Sequence, residues 1–394
     1  MNTGKRILML TVIAALFIAC SGDDDSTSPI DNGDGAANGI ITSLNDPDFN
    51  ASALKGKIGA NIELPAGDYV LSGDLVVQAP YTLKINPGTT FKAVAGGSNV
   101  YLAVEQGAKI DAQGTASAPI RFTSNASSPA AGDWGGIMIM GYAPLSGGGS
   151  AVTEVVDFFY GGDNTNDNSG VLSHVIIEYS GARINDEKEF NGLTLYGVGK
   201  GTTINNIAVF NNDDDTIEFF GGSVDVTNLL VVNSTDDLID WTQGYNGTIT
   251  NAYAIREEGY NSVSSDPRGI EADGNLDGLA PGQTGQSNPT VNGLTIVNNA
   301  AVEFSDIFKI RRGSGATITN ALVIWGASST IAGDFVDCTD SLGDAMGSTN
   351  ISVSVSGNVD AADIKVGANN ATVNVVSGNT GADTSAFSWT GYQF

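Results

Sequence analysis

The segment Asn191-Gly-Leu-Thr-Leu195 recurs as Asp215-Thr-Ile-Glu-Phe219 and again as Asp237-Leu-Ile-Asp-Trp241, so that one short strand is repeated three times. After each copy come a glycine turn and a second strand that opens with an asparagine: Asn206, Asn228 and Asn251. These asparagines lie 22 and 23 residues apart, with no helical spacing between them. Such a period predicts a solenoid, in which each repeat buries its apolar face only by stacking on the next.

The residue types within the repeat indicate which solenoid it is. Leucine-rich repeats have a similar period, but they require leucines at fixed offsets, whereas these strands favour Ile, Val, Thr and aromatic residues. Asparagine suits the turn because it tolerates left-handed backbone geometry and its amide can bond to the equivalent residue one coil away. Asn292 and Asn320 fall at the same position of later repeats, and His174 falls at this position one coil before Asn206. We therefore predict an all-β fold, a right-handed parallel β-helix with coils of about 22 residues and loop insertions.

Length and charge limit the domain count and the partners. A chain of 394 residues is long for one compact globule, but a solenoid core grows lengthwise, so a single elongated domain is expected. There are 44 acidic and 17 basic residues, which gives a net charge of -27. Such a surface repels phosphate backbones and anionic lipid, which excludes nucleic acid as a partner. Cationic ligands, divalent metals and neutral sugars remain.

The first residues have the pattern of a secretory signal. Lys5 and Arg6 precede an apolar run from Ile7 to Ile18 that is too short to span a membrane comfortably. The following Phe17-Ile-Ala-Cys20 resembles the bacterial lipobox, and that resemblance implies cleavage before Cys20 and lipidation of its sulfur and new amino terminus. The alternative is an ordinary signal peptide with an incidental cysteine.

An acidic stretch, Ser21-Gly-Asp-Asp-Asp-Ser26, follows the cysteine directly. It resembles the export signal of Bacteroidetes lipoproteins, which implies a lipid-anchored protein on the outer face of the outer membrane. The alternative is a solvated tether without a targeting role. We therefore predict a signal peptide over 1–19, a lipidated Cys20 with an acidic disordered tether over 20–50, and one β-helix domain with an irregular C-terminal cap over 51–394.

Three segments of the body carry a resemblance to a known family: Gly107-Ala-Lys-Ile-Asp-Ala-Gln-Gly-Thr115, Ala118-Pro-Ile-Arg-Phe-Thr-Ser124 and Gly132-Asp-Trp-Gly-Gly-Ile-Met-Ile139. Together they resemble the secreted parallel β-helix proteins of Bacteroidetes and other marine bacteria. The resemblance extends over most of residues 60–330. It implies the fold but no particular activity.

Strand alternation places acidic side chains on the outside of the coil. If Ile217 and Phe219 point inward, Glu218 points outward, and the same reasoning applies to Asp240 and Glu271. The next equivalent strand turns Lys309 and Arg311 outward. Coils stack about 4.8 Å apart, so these residues are expected to form an acidic column that ends in basic groups. Like charges at such a spacing raise a carboxyl pKa, which is one way to make a general acid.

Two catalytic interpretations of the column are open. Carboxylates on adjacent coils would lie near the roughly 5 Å of a retaining glycosidase, and those on alternate coils near the spacing of an inverting one. Asp236-Asp237 with Lys309-Ile-Arg311 loosely resembles the polygalacturonases, although their active-site histidine motif is missing and His174 is assigned to a turn. Pectate lyases combine calcium-binding carboxylates with a basic residue, a role that Lys309, Arg311 or Arg312 could take. The non-catalytic alternative is a column bridged by Ca²⁺ or simply solvated.

Further residues point to ligand and metal binding. Tyr196 and Phe220, placed outward on the same face, would suit stacking against sugar rings, or they could simply shield the strands. Asp236 and Asp237 are further candidates for ligand binding. The motif Asp273-Gly-Asn275-Leu-Asp277-Gly278 matches the first half of an EF-hand-type loop and predicts a Ca²⁺ site at Asp273, Asn275 and Asp277. Thr284 stands where a bidentate glutamate would be needed, so a complete EF-hand is excluded. A metal-free acidic loop is the alternative.

These observations predict a cell-surface lipoprotein that binds extracellular polysaccharide for capture or adhesion, with calcium assisting. The first alternative is a polysaccharide lyase or glycoside hydrolase that uses the acidic column with Lys309 and Arg311. The second is a structural protein of the envelope. Membrane contact is expected only through the N-terminal lipid.

Overall fold

The computed structural model of the protein describes residues 38–185, 188–327 and 329–394. The predicted signal peptide, Cys20 and the tether up to residue 37 lie outside the described residues. Within the described ranges, no helix has both the length and the hydropathy needed to cross a membrane.

The N-terminal coils begin earlier than the sequence predicts. They contain ten strands: β1 (Ile40–Ile41), β2 (Leu54–Ile58), β3 (Ile62–Leu64), β4 (Asp68–Val77), β5 (Thr82–Ile85), β6 (Thr90–Ala93), β7 (Leu102–Val104), β8 (Lys109–Gln113), β9 (Ile120–Ser124) and β10 (Ile137–Met140). β1 pairs in parallel with β2, and Asp48 Oδ2 accepts the N–H of Asn38 at 2.8 Å. The tether predicted to reach residue 50 is therefore too long, because residues 38–50 belong to the first coil.

Two antiparallel hairpins are inserted before the regular repeats. The strands of this region are β11 (Ala151–Val152), β12 (Phe159–Tyr160), β13 (Gly170–Glu178), β14 (Arg183–Asn185) and β15 (Lys188–Glu189). β11 pairs with β12 and β14 pairs with β15, whereas β13 belongs to the solenoid. We call β11–β12 with its turn, residues 151–160, the cover hairpin, and β14–β15 the second hairpin.

The regular repeats begin with short strands of four to six residues that alternate with strands of nine or ten residues, and the later strands vary in length. They are β16 (Leu193–Tyr196), β17 (Thr203–Asn212), β18 (Ile217–Phe220), β19 (Val226–Ser234), β20 (Ile239–Thr242), β21 (Thr248–Arg256), β22 (Arg268–Asp273), β23 (Thr290–Asn298), β24 (Glu303–Arg311), β25 (Thr317–Trp325), β26 (Thr330–Asp337), β27 (Asn350–Val355), β28 (Ile364–Lys365) and β29 (Thr372–Val375). Three short 3-10 helices are described: Leu276–Gly278, Ala361–Asp363 and Thr384–Thr390.

Parallel pairing of every second strand confirms the predicted right-handed parallel β-helix. β7, β10, β16, β18, β20, β22, β24 and β26 pair in this order and form what we call the site sheet. The long strands from β13 to β29 stack in the same way beside it. Inward side chains of the site sheet, such as Ile217, Phe219 and Trp241, are fully buried. Stacking of these apolar side chains along the axis forms one continuous core.

A ladder of left-handed residues forms the corner within the long strands. Asn206, Asn228 and Asn251 have φ values of 53°, 59° and 61°. The Nδ2 of Asn228 donates to Asn206 Oδ1 at 2.9 Å, and that of Asn251 donates to Asn228 Oδ1 at 2.8 Å. His174 and Asn320 occupy the same corner, each with φ 51°. The predicted ladder is therefore present at these positions.

The ladder position predicted at Asn292 is wrong by one residue. Asn292 lies opposite Thr250, and Gly293 occupies the corner with φ 72°. Glycine lacks a Cβ and adopts this backbone conformation without strain, so the corner falls on it rather than on the neighbouring asparagine. A second ladder, which the sequence analysis missed, joins Asn233 Nδ2 to Asn211 Oδ1 at 3.1 Å.

The C-terminal region is more regular than predicted. β27 and β29 continue the solenoid beyond Ser348, and β29 pairs with β27 in parallel. Residues 379–394 then run back across the long strands, where Phe387 is buried in a cluster with Ile176 and Leu230. The N–H of Asp383 donates to Asn251 Oδ1 at 2.6 Å, so this segment also caps the exposed asparagine ladder.

Replacing Asn228 should destabilise the solenoid. Asn228→Ala removes two amide hydrogen bonds. It also places alanine, which lacks a compensating polar side chain, in the left-handed backbone conformation, so we expect a loss of about 2 kcal/mol in the free energy of unfolding. Asn228→Gly removes the same bonds without the backbone strain and should cost less. Urea denaturation of the purified proteins measures both. An alanine variant as stable as the wild type would contradict the role of the ladder.

Candidate functional site

The register of the site sheet stacks the predicted acidic residues. Glu218 lies opposite Asp240, Asp240 opposite Glu271, and Glu271 opposite Lys309. Each residue alternates with inward apolar neighbours, so its side chain leaves the outer face of the sheet. The acidic column, which we define as Glu218, Asp240 and Glu271, therefore has one carboxylate per coil.

Two hairpins and one loop enclose the column in a cavity of about 580 Å³. The cover hairpin contributes Val152, Glu154 and Tyr160, the second hairpin contributes Lys188, and the loop after β22 contributes Leu276 and Asp277. The site sheet supplies the floor: Glu218, Phe220, Asp240, Thr242, Glu271, Asp273, Arg311 and Arg312. The floor is therefore charged, while Val152 and Leu276 make parts of the wall apolar.

The end of the column at Glu271 is neutralised by arginines. Arg311 contacts Glu271, and its Nε donates to Asp273 Oδ1 at 2.9 Å. Arg312 Nη1 donates to Asp273 Oδ2 at 2.6 Å, and Arg268 Nη1 donates to Glu271 Oε2 at 3.1 Å. Glu271 and Asp273 therefore each have guanidinium partners.

Lys309 has a different position from the one predicted. Its Nζ lies 2.5 Å from Asp337 Oδ2 in the next coil, and the residue does not line the cavity. The carboxylate draws the ammonium away from Glu271, its neighbour in register. The prediction of Lys309 as a basic group of the site is therefore wrong, whereas Arg311 does line the cavity.

Glu218 and Asp240 have no positive partner. Among the residues that the structure describes, no Lys or Arg lies within ion-pair distance of either carboxylate. Glu218 Oε2 accepts a hydrogen bond from Asn191 Nδ2 at 2.5 Å. Asp240 is only 8% exposed, and its Oδ1 is buried without a hydrogen-bond partner. An unpaired buried carboxylate oxygen is costly, so this position favours either a protonated carboxyl or a bound cation.

Burial and mutual repulsion favour the neutral forms of these acids. Burial, followed by the charge of Asp240, raises the pKa of Glu218 well above its ordinary value. Burial and the charge of Glu271 do the same for the pKa of Asp240. On the cover hairpin, burial and the charges of Glu189 and Asp277 raise the pKa of Glu154 to about 7.

A second group of acids adjoins the column at the corner before the short strands. Carboxylate oxygens lie within 4.8 Å of one another in three overlapping groups: Asp214, Asp215 and Asp236; Asp215, Glu218 and Asp240; and Asp237, Asp240 and Glu271. Oxygen donors at this density could hold divalent cations. Asp214 and Asp215 were not among the site residues predicted from the sequence. Their signal is that Asp213-Asp-Asp215 and Asp236-Asp237 occupy the same corner of consecutive coils.

Asp236 and Asp237, which were predicted to bind the ligand, lie outside the cavity. Asp237 Oδ1 accepts the backbone N–H of Arg268 at 2.5 Å, and Asp236 Oδ1 accepts Ser264 Oγ at 2.7 Å. Neither residue lines the cavity. Both lie behind the column, because the corner turns them towards the loop that precedes β22.

The predicted aromatic platform is covered. Tyr196 is 1% exposed; its ring stacks on Phe220 and packs at a tilt against Tyr160, with ring centroids 4.5 and 4.9 Å away. Tyr160 belongs to the cover hairpin, and its hydroxyl donates to Gln243 Oε1 at 2.6 Å. The prediction that Tyr196 faces a ligand is wrong because the hairpin folds over it. Phe220 does line the cavity, although it is largely buried.

The predicted calcium loop does not converge on a metal position. Both carboxylate oxygens of Asp273 bind Arg311 and Arg312. The Asn275 side chain is fully buried, donates to Gln286 and to the Arg312 carbonyl, and accepts the N–H of Ala280. The Asp277 side chain instead forms part of the cavity lining. A cation here would face two guanidinium groups, so this arrangement does not favour the predicted site at Asp273, Asn275 and Asp277. Closely spaced carboxylates lie instead in and beside the column, and at Asp306, Asp334 and Asp337.

Comparison with known proteins gives one match. A family model described as a pectate-lyase like beta helix domain matches residues 56–392. No curated protein and no solved structure matches the chain significantly. The matched range contains the site sheet, both hairpins and all residues that line the cavity.

The raised pKa values predict that stability falls as the pH rises. Unfolded carboxyls ionise near about pH 4, whereas Glu218, Asp240 and Glu154 keep their protons to higher pH when folded. The metal-free protein should therefore be most stable near about pH 4 and lose stability as the pH rises to the Glu154 pKa of about 7. Asp240→Asn should reduce this loss, so that at pH 7.5 the free energy of unfolding of the variant exceeds that of the wild type by about 1 kcal/mol. Urea denaturation in the presence of a chelator measures both.

Asp337 provides the matched control because it is an equally buried aspartate in the same sheet. Burial opposes ionisation there, but hydrogen bonds from Lys309 and Thr339 prevail and lower the pKa of Asp337. Asp337→Asn should therefore lose about 1–3 kcal/mol at pH 7.5. If Asp240→Asn and Asp337→Asn lost the same free energy of unfolding at pH 7.5, the distinction between paired and unpaired carboxylates would be contradicted.

Proposed function

The chain belongs to the pectate-lyase like beta helix domain family, and from this premise we propose that it binds polysaccharide in the cavity above the acidic column. Family membership supports a polysaccharide-related function in general. The observation that carries the specific proposal is a cavity whose floor holds two buried carboxylates, Glu218 and Asp240, that have no basic partner among the residues that the structure describes.

The chemistry of the cavity supports a sugar ligand. Ligand sites combine apolar walls with a few fixed polar groups that orient the bound molecule. Val152, Leu276 and the edge of Phe220 supply apolar surface, and Thr242 and the carboxylates supply acceptors for hydroxyl groups. A neutral sugar can contact the apolar surface with its ring face and donate its hydroxyls to the acceptors, without adding negative charge to a chain of net charge -27.

We assign the assisting calcium to the column. Ca²⁺ takes six to eight oxygen ligands at about 2.3–2.6 Å and shares them readily between carboxylates and other oxygens. Asp240 belongs to two of the carboxylate groups, with Asp215 and Glu218 on one side and with Asp237 and Glu271 on the other. A cation beside Asp240 would satisfy its unpartnered Oδ1 and offset the repulsion along the column. Hydroxyl groups of a bound sugar would be suitable further ligands.

Capture is favoured over lyase chemistry. A lyase needs a basic residue that is free to abstract a proton. Lys309 is paired with Asp337, Arg311 with Glu271 and Asp273, and Arg312 with Asp273. None of the three basic residues proposed from the sequence is therefore free for this role.

One observation favours a glycoside hydrolase as the second candidate. Glu154 lies across the cavity from the column, and burial raises its pKa to about 7, which suits a general acid at neutral pH. A hydrolase would release reducing sugars from a bound glycan, and Glu154→Gln would reduce turnover by orders of magnitude with little change in binding. Binding without product release supports capture.

The proposed location rests on the N-terminal sequence. We propose that Cys20 carries the lipid and that the acidic segment after it directs the protein to the cell surface of a Bacteroidetes-type outer membrane. A surface position would place the cavity where extracellular polysaccharide is encountered.

Calcium should stabilise the protein through the column. We expect millimolar Ca²⁺ to raise the melting midpoint of the wild type. A Ca²⁺ concentration one hundred times the dissociation constant would add about 2.7 kcal/mol to the free energy of unfolding. Glu218→Gln/Asp240→Asn should abolish this response and weaken binding on a glycan array. Asp273→Ala/Asp277→Ala is the control and should still respond. A response lost only in the control variant, or no glycan bound with or without Ca²⁺, would contradict the proposal.

Lipidation has a separate test. Cys20→Ser should abolish labelling with radioactive palmitate and release the protein from membranes, because a thiol is required for the anchor. Cys338→Ser is the control, since that cysteine is buried within the solenoid. Continued labelling of Cys20→Ser would refute the lipobox assignment.

A further inference from the structure

We propose that the outer face of the cover hairpin carries a second sugar subsite, built on Phe159, which extends the polysaccharide site beyond the cavity. This inference rests on the proposed function, because it assigns a further length of the same ligand. The occupant is a stretch of neutral sugar residues continuous with those in the cavity.

Phe159 is an exposed aromatic residue in a fixed position. Its side chain is 65% exposed, although it belongs to the paired strand β12. Its neighbour Tyr160 holds that strand to the sheet through Gln243. Tyr142, also substantially exposed, lies over Gly107, where an added Cβ would come within 3.1 Å of the tyrosine hydroxyl. An exposed aromatic ring held on a paired strand offers a flat apolar face on which a ligand can stack.

The surroundings of Phe159 have the composition of a sugar site. A groove of about 360 Å³ is lined by Phe159 and Phe158 together with Glu105, Gln106 and Asp157. Gln106 is held in place because its Nε2 donates to the carbonyls of Gly141 and Gly161 at 2.9 and 2.8 Å. Aromatic faces stack on the apolar face of a sugar ring, and amide and carboxylate groups accept its hydroxyls.

The hairpin register connects this groove to the cavity. Val152 lies directly opposite Phe159 in the antiparallel pair, so their side chains share one face about 5 Å apart. Val152 lines the cavity and Phe159 lines the groove. A ligand that leaves the cavity across Val152 therefore meets Phe159 next.

The dimensions suit an extended chain. Glu105 follows β7, and three pairings of the site sheet separate that strand from β18, which carries Glu218. Three coil steps correspond to about 14 Å along the axis, a distance that an oligosaccharide of a few residues covers. Glu105 and Asp157 add negative charge, which disfavours anionic partners such as nucleic acid or acidic lipid.

The test compares short and long ligands on the full-length protein in Ca²⁺. The probes are di-, tri-, hexa- and octasaccharides of cellulose, xylan, mannan and laminarin, measured by calorimetry. Phe159→Ala should weaken binding of the long members about fivefold and leave the short members unchanged, because only long chains reach the groove. Phe159→Trp should restore the affinity. Phe394→Ala is the control, because it removes a similarly exposed aromatic side chain that lies beside Tyr253 of β21, away from the groove. It should change the affinity for neither short nor long oligosaccharides.

The outcomes separate this inference from the proposed function. If the wild type binds oligosaccharides and Phe159→Ala binds every length as tightly, the subsite is refuted and the cavity proposal stands. If Phe159→Ala instead converts an oligomer to a monomer in light scattering, the surface is a contact between copies and the inference is overturned. If the wild type binds no oligosaccharide of any length, both proposals fall. An unchanged melting midpoint of Phe159→Ala confirms that the variant is folded.

Discussion

Parallel stacking of coils places equivalent residues of successive repeats about 4.8 Å apart, and the rest of the structure depends on this constraint. Where the repeated residue is apolar, as at Ile217 and Ile239, stacking builds the core. Where it is asparagine, as at Asn206 and Asn228, stacking aligns an amide donor with an acceptor. Where it is acidic, as at Glu218 and Asp240, the same geometry brings like charges together. The repeat therefore stabilises the scaffold and, at the same time, concentrates unfavourable charge on one sheet.

Periodic features could be predicted from the sequence because a period reports contacts between neighbouring coils. The parallel β-helix, the asparagine corner and the stacking of Glu218, Asp240 and Glu271 all follow from this. The insertions follow no period, so their contacts were not predictable. The cover hairpin buries Tyr196 through Tyr160, and Arg311 reaches Asp273 across 38 residues of chain. At Gly293, local backbone freedom outweighed the asparagine that precedes it.

The site is defined by what is left unpaired. Arg268, Arg311 and Arg312 neutralise Glu271 and Asp273, whereas Glu218 and Asp240 line the cavity with no basic partner within the described ranges. Their pKa values rise because burial and repulsion disfavour the charged forms. A bound cation, or a ligand that satisfies these oxygens, would relieve that cost. The family membership supports polysaccharide as the class of ligand, and the hairpins, which belong to no repeat, shape the space that it would enter.

Anomalous diffraction from crystals grown in Ca²⁺ would locate a bound cation among the carboxylates. We expect a peak within coordination distance of Asp240, shared either with Asp215 and Glu218 or with Asp237 and Glu271. A structure in which Asp240 lies beside no cation, while calcium occupies the loop of Asp273, Asn275 and Asp277, would contradict it.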